Sequence, residues 1–258
     1  MNYNLHTHTA RCRHAVGEDR EYVEAAVRGH IRVMGFSDHI PFTYADGTED
    51  SWRVSTAEAP SYIQSILALR DEYADRIEIH IGFEAEYIPT CFEEMVSTAA
   101  AWGAEYLILG QHYLYTDKHS TGIKTYAPFE DEAILKDYVD TVIEGMSTGR
   151  FTYLAHPDVM QFDGTAEAYK RQMRRLCIAS RKLNVPLEIN FLGIRDDRCY
   201  PNEAFWRIVG EEQAPVTFGF DAHAPENAYD AASLAVAKDM VSRLGLCYVG
   251  MPTLRPLV

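Results

Sequence analysis

The sequence predicts an α/β protein, a parallel sheet covered by helices and closed into a (β/α)7 barrel. Three observations predict it. Short β-prone runs recur along the 258 residues, amphipathic helical patterns lie between them, and polar side chains stand at the end of every run.

Seven runs read as strands: "YNLH" near the start, "VMGFS" from 33, "IEIHIGF" from 77, "YLILG" from 106, "FTYLA" from 151, "PLEIN" from 186 and "VTFGF" from 216. They are near-continuously apolar, as strands buried on both faces are. Between them, "AEAPSYIQSILALRDEYA" from 57, "DEAILKDYVDTVIEGM" from 131 and "AEAYKRQMRRLCIASRKL" from 166 repeat their apolar residues at three and four, the helical period. An open doubly wound sheet is the rival. It would carry a Gly-rich phosphate loop after one strand and polar residues at one switch point, whereas neither GxGxxG nor GxxxxGK[ST] occurs here. In a closed barrel all strand ends converge on one mouth.

Composition bounds the rest. With 47% apolar and 24% charged residues, and no Pro/Gly/Ser-rich linker, residues 1–258 are expected to form a single domain. The net charge of −14 argues against long nucleic acids, which need clustered Lys and Arg. An anionic substrate would then need local positive charge, which metal ions can supply. Five scattered cysteines without a CxxC pair, no secretory leader and no apolar run of ~20 residues lead us to expect a cytoplasmic protein with no membrane segment.

The strand ends carry the chemistry. The first run leads into His6, His8 and His14, the second into Asp38 and His39, and the third into Glu84 and Glu86. The fourth reaches His112, the fifth His156, the sixth Asn190 and later Arg195, and the seventh Asp221 and His223. In H-x-H and D-x-H, residues two apart on an extended chain point the same way, so each pair can grip one ion. Mixed imidazole and carboxylate donors suit Zn, Mn or Fe(II). Seven histidines and two carboxylates exceed the needs of one tetrahedral ion, so a multinuclear site is expected, with Glu84 as its bridge. Taken singly, His6 and His8 fit a polar strand end, His112 a hydrogen-bonded edge and His156 a turn before Pro157. Their shared register argues otherwise. His30, His80 and His119 are read as ordinary surface or core residues, Cys12 as a loop thiol, and Tyr113, Tyr115 and Tyr126 as lining for the mouth.

The ordered set "HTHT" with His14, "SDH", "GFEAEY", "GQHY", "HPD" and "DAH" resembles the polymerase and histidinol phosphatase (PHP) family, especially its monofunctional bacterial histidinol-phosphatases. The likeness runs from residue 4 to about residue 225. It implies a distorted seven-stranded β/α barrel, (β/α)7, with three divalent ions, Zn, Mn or Fe, at the mouth. Carried over by position, it implies one ion on His6, His8, Glu84 and Asp221, a second on His14, His39 and His223, and a third on His112, His156 and the other oxygen of Glu84. "NFLGIR", with Asn190 and Arg195, matches the N-x-x-G-x-R stretch that in the family helps to hold the substrate phosphate.

Phosphate monoesters hydrolyse very slowly unaided, so an enzyme must supply a nucleophile at neutral pH and neutralise phosphoryl charge. Paired metals do both, generating a bridging hydroxide for in-line attack. Candidate acids for the leaving group are Asp38 and Asp158, with Asp38 alternatively orienting a ligand histidine. The resemblance implies L-histidinol phosphate as substrate, and Glu86, Asp158 and the "YTDKHSTGIKTY" loop are expected to meet its amine and imidazole. Alternatives are a phosphoesterase for nucleotides or other small phosphoesters, a non-catalytic metal-binding module, and a metal-dependent amidohydrolase. The last lacks a suitably placed bridging lysine.

Overall fold

Eight strands, all parallel, follow one another around a curled sheet in chain order. They are β1 (Tyr3–Asn4), β2 (Val33–His39), β3 (Glu78–Ala85), β4 (Tyr106–Leu109), β5 (Phe151–Leu154), β6 (Leu187–Asn190), β7 (Pro215–Gly219) and β8 (Cys247–Tyr248). The computed structural model describes residues 1–44, 46–114 and 122–257. Tyr115 and His119, and with them most of the loop named above, lie outside the described residues.

The seven expected strands are present, and β8 is an addition. Its placement shows how the ring closes. At the mouth, the chain beyond β1 meets the chain beyond β7: the His8 N–H donates to the Ala222 carbonyl at 2.9 Å and the Ala222 N–H to the His6 carbonyl at 3.1 Å. At the opposite end β8 pairs with Pro215 and Val216 of β7, and the Tyr3 hydroxyl contacts Thr217 Oγ1 at 2.8 Å and the Tyr248 hydroxyl at 3.2 Å. The barrel thus closes directly at its top and through β8 and side chains at its floor.

The helices form as the periodicity predicts. The second includes Ala59–Glu72, the fourth Glu132–Ser147 and the fifth Ala166–Leu183. Asp131 caps the fourth by accepting from the Ala133 N–H, and Thr165 caps the fifth by accepting from the Ala168 N–H, each satisfying an otherwise unpaired donor. In the fifth helix Tyr169, Met173, Leu176, Cys177 and Ser180 are buried, a stripe at three- and four-residue spacing. Such stripes build the main core between sheet and helices. A second core of Tyr3, Leu5, Tyr106, Ile108, Tyr153 and Ala155 fills the barrel interior. Above it, the interior is polar.

Candidate metal centre

The mouth is built around one carboxylate. Glu84 projects from the end of β3, 2% exposed, and Gly110 lies so close that a Cβ there would strike its carboxylate. Its oxygens address different histidines. Oε2 lies 3.1 Å from His39 Nδ1, 3.5 Å from His8 Nε2 and 3.7 Å from His6 Nε2. Oε1 lies 2.9 Å from His156 Nε2 and 3.5 Å from His112 Nε2. Asp221 forms a second node: its Oδ1 is 3.2 Å from His223 Nδ1, 3.3 Å from His8 Nε2 and 3.6 Å from His6 Nε2. His14 completes the ring, with its Nε2 3.3 Å from His39 Nε2.

The backbone is bent to make this possible. His156 and Asp221 have φ values of 30° and 46°, a region that residues with a Cβ adopt at a cost. Their side chains thereby turn inward past the strand ends.

These donors fit metal ions. His6 Nε2, His8 Nε2 and Asp221 Oδ1 are buried without a hydrogen-bond partner, the state expected of atoms whose partner is an ion. His6, His8 and Asp221 form one group of donor atoms close enough to share an ion, His39, Glu84 and His112 another, and His8, His39 and His223 a third. Cys12, read from sequence as a loop thiol, is buried and joins His14 and His223 in a further group.

Electrostatics follow the same division. Burial opposes charge on His6, but Asp221 and Glu188 outweigh it and push its pKa up to about 10. Burial, reinforced by neighbouring imidazoles, drives His39 well below its ordinary value and His112 down to about 3. Glu84 and Asp221 stay ionised, since the surrounding histidines overcome their desolvation.

Outer groups surround the donors, and several of the residues expected to act on the substrate have partners of their own within the protein. The expected acid Asp38 is fully buried: it accepts from the Thr9 and His39 N–H groups, at 3.0 and 2.8 Å, and lies 3.5 Å behind His8 Nδ1. That geometry suits orientation. Asp158 accepts from the Asn202 N–H at 2.6 Å and Trp206 Nε1 at 2.9 Å, behind the cavity wall, where burial raises its pKa to about 7. Glu86, expected at the substrate, pairs with Arg53 and accepts from the His112 and Tyr113 N–H groups at 3.0 and 2.8 Å, fixing the main chain that carries His112. Asn190 donates to Asp221 Oδ2 at 2.9 Å and to Glu188 Oε2 at 2.8 Å, while its own oxygen caps the short helix Phe191–Arg195. Arg195 donates to the Asp221 carbonyl at 2.9 Å and pairs with Asp230, holding the bent ligand from outside the cavity.

Sequence reasoning missed Glu188. Fully buried in β6, it accepts from His6 Nδ1 at 2.7 Å and from the His156 N–H at 3.0 Å. This leaves His6 Nε2 facing Glu84 and Asp221. The available signal was a glutamate inside an otherwise apolar strand, two residues before Asn190 and therefore on the same face.

A cavity of about 770 Å³ opens over the donors. One wall is aromatic: Trp52 and Tyr113 stack at 5.7 Å, and Tyr126 lies beside Tyr113. Tyr113 and Tyr126 line it as the sequence suggested; Trp52 was not foreseen.

Fold and site define a β/α barrel whose mouth gathers His, Asp and Glu clusters that could hold metal. The chain belongs to the PHP domain family, whose model matches residues 4–191. It is similar to the Deinococcus radiodurans protein named "Probable histidinol-phosphatase", at 26% identity over 224 residues covering 85% of each chain. A Schizosaccharomyces pombe protein of the same name is 20% identical over 273 residues, covering 95% of this chain and 88% of that one. The fold also matches the histidinol phosphate phosphatase of Lactococcus lactis complexed with zinc, L-histidinol and phosphate, with a TM-score of 0.72, 17% identity and coverage of 99% and 97%.

Proposed function

We propose that this protein is a metal-dependent phosphomonoesterase, one cytoplasmic domain of residues 1–258, that hydrolyses L-histidinol phosphate to L-histidinol and phosphate in histidine biosynthesis. One observation carries the reading: Glu84 turns its two oxygens to separate sets of histidines, the arrangement expected of a carboxylate that bridges ions. The likeness to the D. radiodurans and S. pombe proteins supports the substrate.

Three divalent ions, Zn, Mn or Fe, would be held by His6, His8, Glu84 and Asp221; by His14, His39 and His223; and by His112, His156 and Glu84. Bound there, such ions supply a nucleophile from water at neutral pH and neutralise phosphoryl charge. The chain's own residues do the rest. Glu188 and Asp38 hold His6 and His8 in place, while Asn190 and Arg195 hold Asp221. Burial under Leu192, Val159 and Tyr200 limits water around the phosphoryl group. The Trp52–Tyr113 wall offers a π face to the substrate's imidazole.

The same wall suits a nucleobase, so a small nucleotide is the second reading. Phosphate release by protein stripped of metal and reloaded with Zn, Mn or Fe decides between them. The proposal expects a strong preference for L-histidinol phosphate over nucleotides and sugar phosphates. A preference for mononucleotides would move the function to the second reading, and no turnover with any metal would contradict both.

A further inference from the structure

Resting on the phosphatase reading, we infer that Arg53 is a positioning residue for substrate choice: it joins Trp52 and Tyr113, which come from distant parts of the chain, into one rigid wall of the cavity. Among the described residues, Trp52 and Tyr113 line the cavity and Arg53 does not. The Arg53 side chain is 2% exposed, a cation taken out of water at a cost that its partners must offset.

Those partners show what Arg53 holds. Its guanidinium carbon stands 4.0 Å from the centre of the Trp52 ring, so the planar cation lies against the indole. The same fork pairs with buried Glu86, which accepts from the Tyr113 N–H at 2.8 Å. Arg53 Nε also donates to Asp50 at 3.0 Å, and the Arg53 N–H donates to the Asp50 carbonyl at 3.3 Å, which closes the loop that carries Trp52. Trp52 thus belongs to the chain after β2 and Tyr113 to the chain after β4, and their rings stack at 5.7 Å and 26°. One buried guanidinium anchors both: the first ring by its face, the second through Glu86. The wall also abuts the donors, since the Trp52 ring meets those of His39 and His112 edge-on at 4.9 and 5.6 Å. A wall that shifts therefore changes where a ring carried by the substrate can lie relative to the donor cluster. Lysine could still pair with Glu86, but it has neither a flat face for Trp52 nor a second donor direction for Asp50.

The test compares the zinc-loaded wild type with Arg53→Lys, which keeps a charge opposite Glu86 and so guards the fold. One readout is kcat/KM for L-histidinol phosphate relative to glycerol 3-phosphate, an ester with no ring to meet the wall. The other is acrylamide quenching of Trp52 fluorescence, isolated by subtracting the signal of the same protein carrying Trp52→Phe. Arg53→Lys is expected to lower the preference about tenfold, the scale on which a single pocket contact discriminates, chiefly through KM for L-histidinol phosphate. Trp52 should at the same time become more quenchable. Equal losses with both esters, as a merely structural role would give, would overturn the inference, and so would a preference that survives while Trp52 loosens. Unchanged quenching would overturn it as well. If the wild type hydrolyses neither ester, the phosphatase reading fails, and the quenching still decides whether Arg53 holds the wall.

Discussion

The two halves of the barrel interior carry the same strands and opposite chemistry. Below, Leu5, Tyr106, Ile108 and Tyr153 interlock as a core, and the Tyr106 hydroxyl donates to the Leu5 carbonyl at 2.9 Å. Above, His6 and His156, each one residue beyond the core residues Leu5 and Ala155, crowd together with Glu84 of β3 and Glu188 of β6, and His6 Nε2 and Asp221 Oδ1 are left unpartnered. Buried polar groups of that density are destabilising unless something charged sits among them. The lower half stabilises the barrel on its own terms, and in the proposed reading the upper half would need ions.

The largest separation of the halves should come from one ligand against one core residue. His8→Ala is expected to lower phosphate release by about 10³-fold, equivalent to several kcal/mol of transition-state stabilisation, while the metal-free protein keeps its thermal midpoint. Leu5→Ala should do the reverse: about 2–5 kcal/mol lost in denaturant unfolding, with or without metal, and turnover per folded molecule retained. An unpartnered atom tells a similar story in each half. The Tyr153 hydroxyl is buried without a hydrogen-bond partner, like the atoms of His8, but it lies in the lower core. Tyr153→Phe should therefore alter unfolding free energy by less than about 1 kcal/mol and leave activity intact.

Glu188→Gln probes the boundary between the halves. It keeps the shape but weakens the hold on His6 Nδ1, and metal affinity measured by competition with a chelator should fall about 10- to 100-fold. The smallest effect belongs to the outer flank of the lower half. There Glu105 accepts from the Ile81 N–H and faces His80, and despite its partial burial these contacts bring its pKa down to about 2. His80 is raised, chiefly by Glu105. Glu105's contribution is complete above its ordinary value of 4.5 and fades as pH falls toward 2; that of His80 is complete below 6.5 and fades as pH rises through its raised value. The stability lost in Glu105→Gln should thus be greatest between pH 4.5 and 6.5. A loss that grows steadily to pH 9 would contradict the assignment.

Much of this was legible in the sequence because strand ends and metal donors both have local signatures. The first seven strands announce themselves as β-prone runs, and H-x-H and D-x-H place donors by alternation alone. The eighth strand does not, since Cys247 and Tyr248 are two exposed residues whose pairing depends on β7 and on Tyr3. The supporting residues were harder to read. Asn190, Glu86 and Arg195 are polar residues near strand ends, just as ligands are, and only three-dimensional placement shows that they hold the ligands' backbone or carboxylates from behind. Trp52 sits far from any strand end, in a segment without periodicity, so nothing local marked it as the wall of the cavity.

The central claim is that the polar half of the barrel is a site for a cluster of ions. Elemental analysis of the purified protein, joined to anomalous diffraction at the Zn, Mn and Fe edges, tests it most directly. The account predicts three transition-metal ions per chain, with Glu84 between two of them and His6, His8, His14, His39, His112, His156, Asp221 and His223 around them. A chain that binds no ion at these residues would contradict it.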